Sequence, residues 1–259
     1  LGGGAKVYGW ASYQKRDARS AGFFRRAVQD QNIISIYPNG FLPIIAPTVD
    51  DYSATAGVSW TVGKWDMDTS LGYGKNKMAF TIENTLNRSI GPSSKTEFEA
   101  GGFSYDQLVY NLTGVRSVDM ASMASPVNVA VGAEARREGY KLFAGEPDSY
   151  RFGGVMLPNG LPAPPGAQVF PGFRPANESN THRTAIGAFV DVEANLTKEL
   201  LASIAVRGEH YSDFGDSLAG KLALRYDFNK AFALRASAQN GFRAPSPQQQ
   251  NFTTTSTNF

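Results

Sequence analysis

Apolar residues alternate with polar or very small residues along most of this chain, and this period of two restricts the fold more than any other feature. In residues 52–62 one side of the pattern consists of Tyr52, Ala54, Ala56, Val58, Trp60 and Val62, while the other side holds serine, threonine and glycine. The alternation recurs at 65–74, 127–136, 186–195, 202–209, 220–228 and 232–239. Successive side chains of a strand point to opposite faces, so each segment predicts a β-strand with one apolar face.

Two less regular runs, near 4–16 and 97–112, bring the predicted number of strands to about nine, and no stretch has convincing helical periodicity. Short turns are expected at Gly63-Lys64, near residue 197 and at Asn229-Lys230. They alternate with longer loops at 17–50, 84–96, 144–181 and 212–217. The connection formed by residues 113–126 lies on the short-turn side, but it is not itself short. The pattern predicts an antiparallel sheet with tight turns at one end and long loops at the other.

The alternation by itself fits two classes of protein equally well. A soluble β-sandwich or lipocalin-like barrel turns its apolar face inward, whereas a membrane barrel turns it outward to lipid. Three features favour the membrane barrel. The polar faces interleave charges of both signs, aromatic residues such as Trp60 and Trp65 flank the tight turns, and two loops exceed the usual length in compact soluble domains.

Composition excludes several functions. The net charge of +2 and the scattered charged residues argue against a nucleic-acid partner. The chain has no cysteine, and His182 and His210 do not stand in metal-ligand spacing, so we expect no metal and no cofactor. Ser212 and Asp213 beside His210 suggest a hydrolase, but neighbours on a strand point to opposite faces and this run alone cannot form a triad. We therefore expect no catalytic residues and no enzyme activity.

The sequence resembles the barrel of TonB-dependent outer-membrane receptors. The similarity is clearest over residues 185–246, where a strand ends in the Arg207-x-Glu209-x-Tyr211-Ser-Asp-Phe-Gly motif. Two further strands follow, and then the segment Gly241 to Ser246, with the sequence Gly-Phe-Arg-Ala-Pro-Ser. The upstream segments "SPVNVAVGAEARREGYKLFAGEPDSY" and "IYPNGFLPIIAPTVDDYS" also resemble this family, so the likeness spans most of the chain.

The resemblance implies an all-β protein of the bacterial outer membrane. Its fold would be an antiparallel transmembrane β-barrel of 22 strands with long extracellular loops and short periplasmic turns. Residues 1–259 would supply about nine strands, whereas the plug domain and the remaining strands lie outside this sequence. Such receptors bind a scarce small nutrient and import it when the TonB complex pulls on an upstream segment. The implied partners also include outer-membrane lipid and lipopolysaccharide. The alternatives are a passive porin-type channel and a soluble β-rich binding domain.

Two sets of residues are candidates for function. The first set projects from polar faces toward a lumen or plug domain, although cross-strand ion pairs within the wall would explain it as well: Glu134, Arg136, Asp191, Glu193, Arg207, Glu209, Lys221, Arg225 and Asp227. Arg243, at the loop-side end of the last strand, joins this set, and Pro245 beside it predicts that strand pairing ends there. The second set consists of loop residues that would contact ligand or serve only in loop packing: Tyr37, Phe41, Tyr150, Phe152, Phe170, Phe173 and Arg174.

Overall fold

The computed structural model describes residues 4–254, which form one antiparallel sheet. Its strands are β1 (Lys6–Asp17), β2 (Ser20–Ala21), β3 (Ile44–Val62), β4 (Trp65–Glu83), β5 (Phe98–Val118), β6 (Val127–Phe143), β7 (Ser179–Asn195), β8 (Leu200–Tyr211), β9 (Gly215–Asn229) and β10 (Phe232–Gln239). Each strand from β3 onward pairs with the next in the chain, and β1 and β2 both pair with β3. The predicted all-β, antiparallel class is confirmed.

Strands β1 and β2 are two parts of one strand, so the described sheet has the nine strands that the alternation predicts. Asp17 pairs with Thr48 and Ser20 with Ile45, which is the same register on both sides of the break. The break lies opposite Pro47, which has no N–H to donate to the ladder. Ala18 still donates to the carbonyl of Pro47 at 3.0 Å, so the two parts remain collinear.

The tight turns lie where the sequence predicts them. Gly63, with φ of +59°, and Lys64 join β3 and β4, whose register is unbroken from Val62↔Trp65 to Ile44↔Glu83. Between β9 and β10 the side chain of Asn229 accepts hydrogen bonds from the backbone N–H groups of Ala231 and Phe232, at 2.8 and 3.0 Å. We call the end of the strands that carries these tight turns the turn end. The opposite end of the strands is the loop end.

Several predicted boundaries were wrong, mostly because the strands are longer than the clear alternation. Residues 113–118, assigned to a connection, continue β5, so the link on the turn end covers only 119–126. The predicted loop at 212–217 is a three-residue turn, Ser212–Phe214, followed by Gly215 with φ of +95°. The sequence also missed a short helix, α1 (Pro247–Asn251), which follows β10. Cross-strand hydrogen bonds sustain a strand even where its side chains no longer alternate in polarity.

The register separates the sheet into two faces. Cross-strand partners share a face, so pairs such as Ala56↔Leu71, Ala133↔Ala188 and Ile204↔Leu222 fall on one side, which we call the apolar face. Its large side chains are exposed, with 64% of Ile186 and 55% of Ile204 accessible. The opposite side, the polar face, carries the charged and small residues, and clefts along the sheet are lined mainly by its side chains.

The buried core lies at the loop end rather than on the apolar face. Ile82, Phe98, Ala100 and Ala167 form one cluster, and Tyr140, Leu142 and Phe173 form another. The strand residues of these clusters project mostly from the polar face, where the loop of residues 144–178 lies over them. None of the helices among residues 4–254 has the length and apolar character needed to cross a membrane.

Candidate functional site

A buried ion pair in the loop-side half of the polar face joins β6 to β7. Arg183 on β7 is 4% exposed, and its Nε and Nη2 donate to Oε2 of Glu138 on β6, at 2.8 and 2.5 Å. The Tyr105 hydroxyl on β5 donates to the other oxygen of Glu138. The third guanidinium nitrogen of Arg183 donates to the carbonyl of Pro245 at 2.7 Å. The pair therefore links three strands to the segment that follows β10.

A second group of charges continues this network toward the turn end. On β8, Arg207 donates to Glu209 at 2.7 Å and lies 3.5 Å from Glu134 on β6. Arg136 lies 3.5 Å from Glu134 and 3.7 Å from Glu138, which connects the two groups. Strand β7 runs between β6 and β8, and its Gly187 lies beside Arg207 without a side chain to obstruct the contact.

The predicted polar-face residues therefore fall into two classes. Glu134, Arg136, Arg207 and Glu209 belong to the network, and Arg225 pairs with Asp227 at 2.7 Å within β9. Asp191, Glu193 and Lys221 form no ion pair within 4.0 Å among residues 4–254, although they lie on the same face and line clefts. The first class includes cross-strand wall pairs, whereas the second class has no ion-pair partner among the described residues.

The segment after β10 folds back over the polar face, and we call residues 240–252 the strap. Strand pairing ends at Gln239, just before the segment Gly241 to Ser246. Ala244 is buried between Ala185 and Tyr211, and Gln250 of α1 donates to Asp213 at 3.1 Å. The strap therefore lies across the loop-side half of β6–β8.

A cleft of about 510 Å³ is lined by both the strap and the network. Arg136, Glu138, Glu209 and Tyr211 line its wall, while Phe242 and Arg243 line the strap side. Arg243 is exposed and has no carboxylate within 4.0 Å among the described residues. The cleft thus presents hydrogen-bond donors, acceptors and a free guanidinium, which suit the binding of another polar chain segment.

The loops at the loop end hold one another by buried hydrogen bonds. Asn87, which is fully buried, donates to the carbonyls of Asp148 and Arg151, at 2.8 and 2.9 Å. Thr85 and Gln168 exchange two hydrogen bonds, at 3.2 and 2.9 Å. The loop after β6 is thereby attached to the loop after β4. We call the assembly of residues 22–43, 84–97 and 144–178 the loop cap.

Four of the predicted ligand contacts pack inside the loop cap. Phe41 and Phe173 are each 2% exposed. Phe170 packs against Phe80 and Phe173, with ring centroids 5.2 and 5.4 Å apart. Tyr37 stacks on Phe41, and burial raises the pKa of its phenol above the usual value. Packing holds these four aromatic residues in place.

The remaining loop candidates lie nearer solvent. Phe152 is 47% exposed, while Tyr150 and Arg174 are half-buried. The backbone N–H of Arg174 donates to the Asn177 side chain at 3.0 Å and begins a short 3-10 turn. Tyr37 and Phe170 are half-buried as well, so of the predicted set only Phe41 and Phe173 have almost no exposed surface.

Sequence reasoning missed the centre of the network. Glu138 continues the spacing of Glu134 and Arg136, but the predicted strand stopped at residue 136. Arg183 fell between the predicted loop 144–181 and the predicted strand 186–195, although it lies on the polar face of β7 opposite Glu138. Extending the period of two by one further position would have found Glu138. No comparable pattern marked Arg183, because its contact with Glu138 depends on the register of β7 against β6.

The charged residues of the site do not resemble a metal centre. Among residues 4–254 no group of three histidine, cysteine, aspartate or glutamate side chains is placed to hold a metal ion. The carboxylates of the network are instead matched by arginines.

Comparison with known proteins identifies a family. The family model described as "TonB dependent receptor-like, beta-barrel" matches residues 2–259, which is nearly the whole chain. No curated protein matches the chain.

Proposed function

This chain belongs to the TonB dependent receptor-like β-barrel family, and from that membership we propose that it forms part of the wall of an energised nutrient receptor. The family consists of transport receptors of the bacterial outer membrane and is not an enzyme family. The receptor would bind a scarce small molecule at the loop end and import it with energy from the TonB complex. Residues 1–259 would be one portion of its barrel, with the plug domain and the other strands elsewhere in the protein.

The observation that carries this proposal is the separation of the two faces. The apolar face is exposed along the strands, whereas the polar face holds a network of ion pairs. A soluble barrel would bury its apolar face, but a membrane barrel places that face against lipid and keeps polar groups inside. From Tyr52 to Val62, β3 spans roughly 33 Å, or about 25 Å across the membrane at the usual strand tilt. That length fits the apolar band of an outer-membrane barrel.

The cleft beneath the strap supports a plug domain as the partner of the polar face. Arg243 on the strap and the unpaired charges Asp191, Glu193 and Lys221 present groups that the wall itself does not neutralise. A plug domain inside the barrel would provide complementary charges and backbone groups. We expect these four residues to contact the plug, whereas Arg225 and Asp227 already neutralise each other.

The loop cap supports ligand binding at the loop end. Its buried contacts hold the loop backbone in one arrangement, and such preorganisation reduces the entropy that binding costs. Within it, Phe152, Tyr150 and Arg174 offer aromatic and cationic surface for a ligand. We place the cap on the extracellular side, since long loops face outward in barrels of this kind.

The test uses the full-length protein and distinguishes an energised receptor from a passive channel. Purified protein is reconstituted into planar bilayers, and conductance is recorded with and without urea, which unfolds an internal plug more readily than the barrel. A receptor with a plug should conduct little until urea is added. Steady conductance without urea would support a porin-type channel and would overturn the proposal.

A second measurement addresses energy coupling in cells. A strain lacking this protein is screened for loss of growth on limiting nutrients, and the deficiency is then compared with that of a strain lacking TonB. The proposal expects both strains to lose growth on the same limiting nutrient. The variant Arg243→Ala should reduce uptake of that nutrient several-fold without changing the amount of protein in the membrane. Uptake that persists without TonB would contradict energised transport.

A further inference from the structure

A pocket of about 380 Å³ in the loop cap is lined by the loop before β3 and the loop after β6. One wall includes Phe23, Arg25 and Gln31, and the other consists of residues within 164–171. None of the loop residues singled out from the sequence lines this pocket. Sites for small molecules usually have volumes of about 300 to 1,000 Å³, so the pocket is large enough for a ligand.

Hydrogen bonds hold the second wall in place. The backbone N–H of Ala167 donates to the carbonyl of Ser149 at 2.9 Å, and the backbone N–H of Gln168 donates to the Thr85 hydroxyl at 2.9 Å. Three prolines among residues 164–171 restrict the backbone further. The pocket is therefore formed before a ligand arrives, which lowers the entropic cost of binding.

Val169, which lines the pocket, has a strained backbone. Its φ is +73°, in the left-handed region that β-branched residues rarely adopt. Its side chain lies against Gly22 of the other loop, where an added Cβ would clash with a Val169 methyl group. Strain of this kind persists only where surrounding contacts enforce it, and it is concentrated at functional sites. The two loops thus meet in a conformation that the local sequence disfavours.

The charge of Arg25 is not neutralised within the pocket. Arg25 is the only charged residue among the described residues of the lining. No carboxylate lies within 4.0 Å of its guanidinium among residues 4–254, and its buried Nε has no acceptor there. Buried donors are normally paired, because an unpaired donor has lost its hydration without compensation. A ligand with one negative charge would supply the missing counter-charge.

Most of the remaining lining is apolar, with one free acceptor. Phe23 is 83% exposed, and Val169 and the three prolines present aliphatic surface. An exposed aromatic ring offers its face to another planar ring. Gln168 is 8% exposed and donates through Nε2 to the carbonyl of Gln31 at 3.4 Å, while its Oε1 accepts no hydrogen bond among the described residues. That oxygen can accept from a hydroxyl or N–H group of a ligand.

We propose that this pocket binds a small aromatic carboxylate, a monoanion whose ring carries a hydrogen-bond donor. The carboxylate would pair with the terminal N–H groups of Arg25, the ring would lie against Phe23, and the donor would bind Oε1 of Gln168. The inference rests on the proposed function and deepens it, since it names the class of nutrient that the loop cap captures. A ligand with more negative charges would lack a second cation among the described lining residues.

The test measures the dissociation constants of three probes for the full-length protein in mild detergent, by saturation-transfer-difference NMR. The first probe, 4-hydroxybenzoate, combines the charge, the ring and the donor. The second, 4-hydroxybenzamide, lacks the charge, and the third, acetate, lacks the ring. The variant Arg25→Gln removes the cation. Arg26→Gln is the matched control, because Arg26 is the next residue, is exposed and does not line the pocket.

We expect the wild type to bind 4-hydroxybenzoate about tenfold or more tightly than the other two probes, because the amide lacks the ion pair and acetate lacks the buried ring. Arg25→Gln should weaken binding of 4-hydroxybenzoate by about tenfold or more and leave binding of 4-hydroxybenzamide within about twofold. Arg26→Gln should bind all three probes as the wild type does. Heat-modifiable migration on gels shows whether each variant retains a folded barrel.

Three results would overturn the proposal: no binding of 4-hydroxybenzoate by the wild type, equally tight binding of the amide or of acetate, or an equal loss in Arg26→Gln. Should Arg25→Gln not fold, the comparison of the three probes on the wild type still decides the question. Failure of the proposed function is a separate result. Selective binding by a protein that conducts without urea would support the pocket and overturn energised transport, whereas a TonB-dependent receptor without this selectivity would overturn only the ligand class.

Discussion

Arg183 is the residue on which the contacts of the polar face depend most. Its guanidinium binds Glu138 through two nitrogens and the strap carbonyl of Pro245 through the third, while 4% of the residue is exposed. A buried ion pair does not always stabilise a protein relative to apolar residues, because both ions lose their hydration. Removal of one partner is nonetheless costly, since the other charge stays buried without compensation.

Arg183→Ala should therefore destabilise the barrel by about 3 to 5 kcal/mol. The free energy of unfolding is measured by urea titration of the full-length protein in lipid vesicles. The matched control is Arg225→Ala, which breaks a pair whose side chains are 39% and 38% exposed and should cost about 1 kcal/mol or less. Equal losses in the two variants would show that the Arg183 pair is not buried in the assembled barrel.

The elements at the loop end are connected by side chains rather than by strand pairing. The loop after β6 covers residues 144–178, and its attachments include the side chains of Asn87, Thr85 and Ser89. Asn87 also accepts from the hydroxyl of Ser89 at 2.7 Å, so both ends of its amide are used. One asparagine thus joins two loops more than 60 residues apart in the chain.

Asn87→Ala should loosen the loop cap while leaving the strands intact. The carbonyls of Asp148 and Arg151 would lose the hydrogen bonds that Asn87 donates, at a cost of about 0.5 to 1.5 kcal/mol each. We expect chymotrypsin added to intact cells to cleave near Phe152 and Leu161 several-fold faster than in the wild type. Asn159→Ala is the control, because its side chain accepts only a local hydrogen bond from Leu161 in an exposed turn. Unchanged cleavage in Asn87→Ala would mean that the other contacts suffice to hold the loop.

The whole molecule is organised by its two faces. Adjacent residues of a strand project to opposite sides of the sheet. A substitution moved by one position along the strand therefore lies in the polar interior instead of against lipid. On β8, Val206 pairs with Val190 on the apolar face, and its neighbour Ala205 pairs with Asp191 on the polar face. Substitutions at these two neighbouring positions can test which face of the sheet contacts lipid.

Val206→Arg should lower the free energy of unfolding in lipid bilayers by about 2 to 4 kcal/mol, as expected for arginine on the lipid face near the membrane centre. Ala205→Arg, which places the same charge between Asp191 and Lys221, should change it by ~0.5 kcal/mol. Both are measured by urea titration in vesicles. The opposite ranking of the two variants would mean that the polar face contacts lipid.

The local sequence was sufficient for the strand order, the faces and the tight turns at the turn end, but not for the tight turn Ser212–Phe214. Gly63-Lys64 and Asn229 mark turns through their own backbone and side-chain chemistry, and the alternation from Tyr52 to Val62 identifies a face without knowledge of any partner strand. The same reasoning placed Glu134, Arg136, Arg207 and Glu209 on one face. These features depend on residues within one or two strand positions of each other.

The sequence alone determined which residues share a face of the sheet, since alternation follows from the geometry of a single strand. Only the tertiary structure determined that β5 extends to the turn end and β6 to the loop end, that the loop of residues 144–178 folds over the polar face, and that Arg183 binds Glu138. Those contacts join residues far apart in sequence, and they form because register and burial bring them together. No local pattern encodes the register of several paired strands.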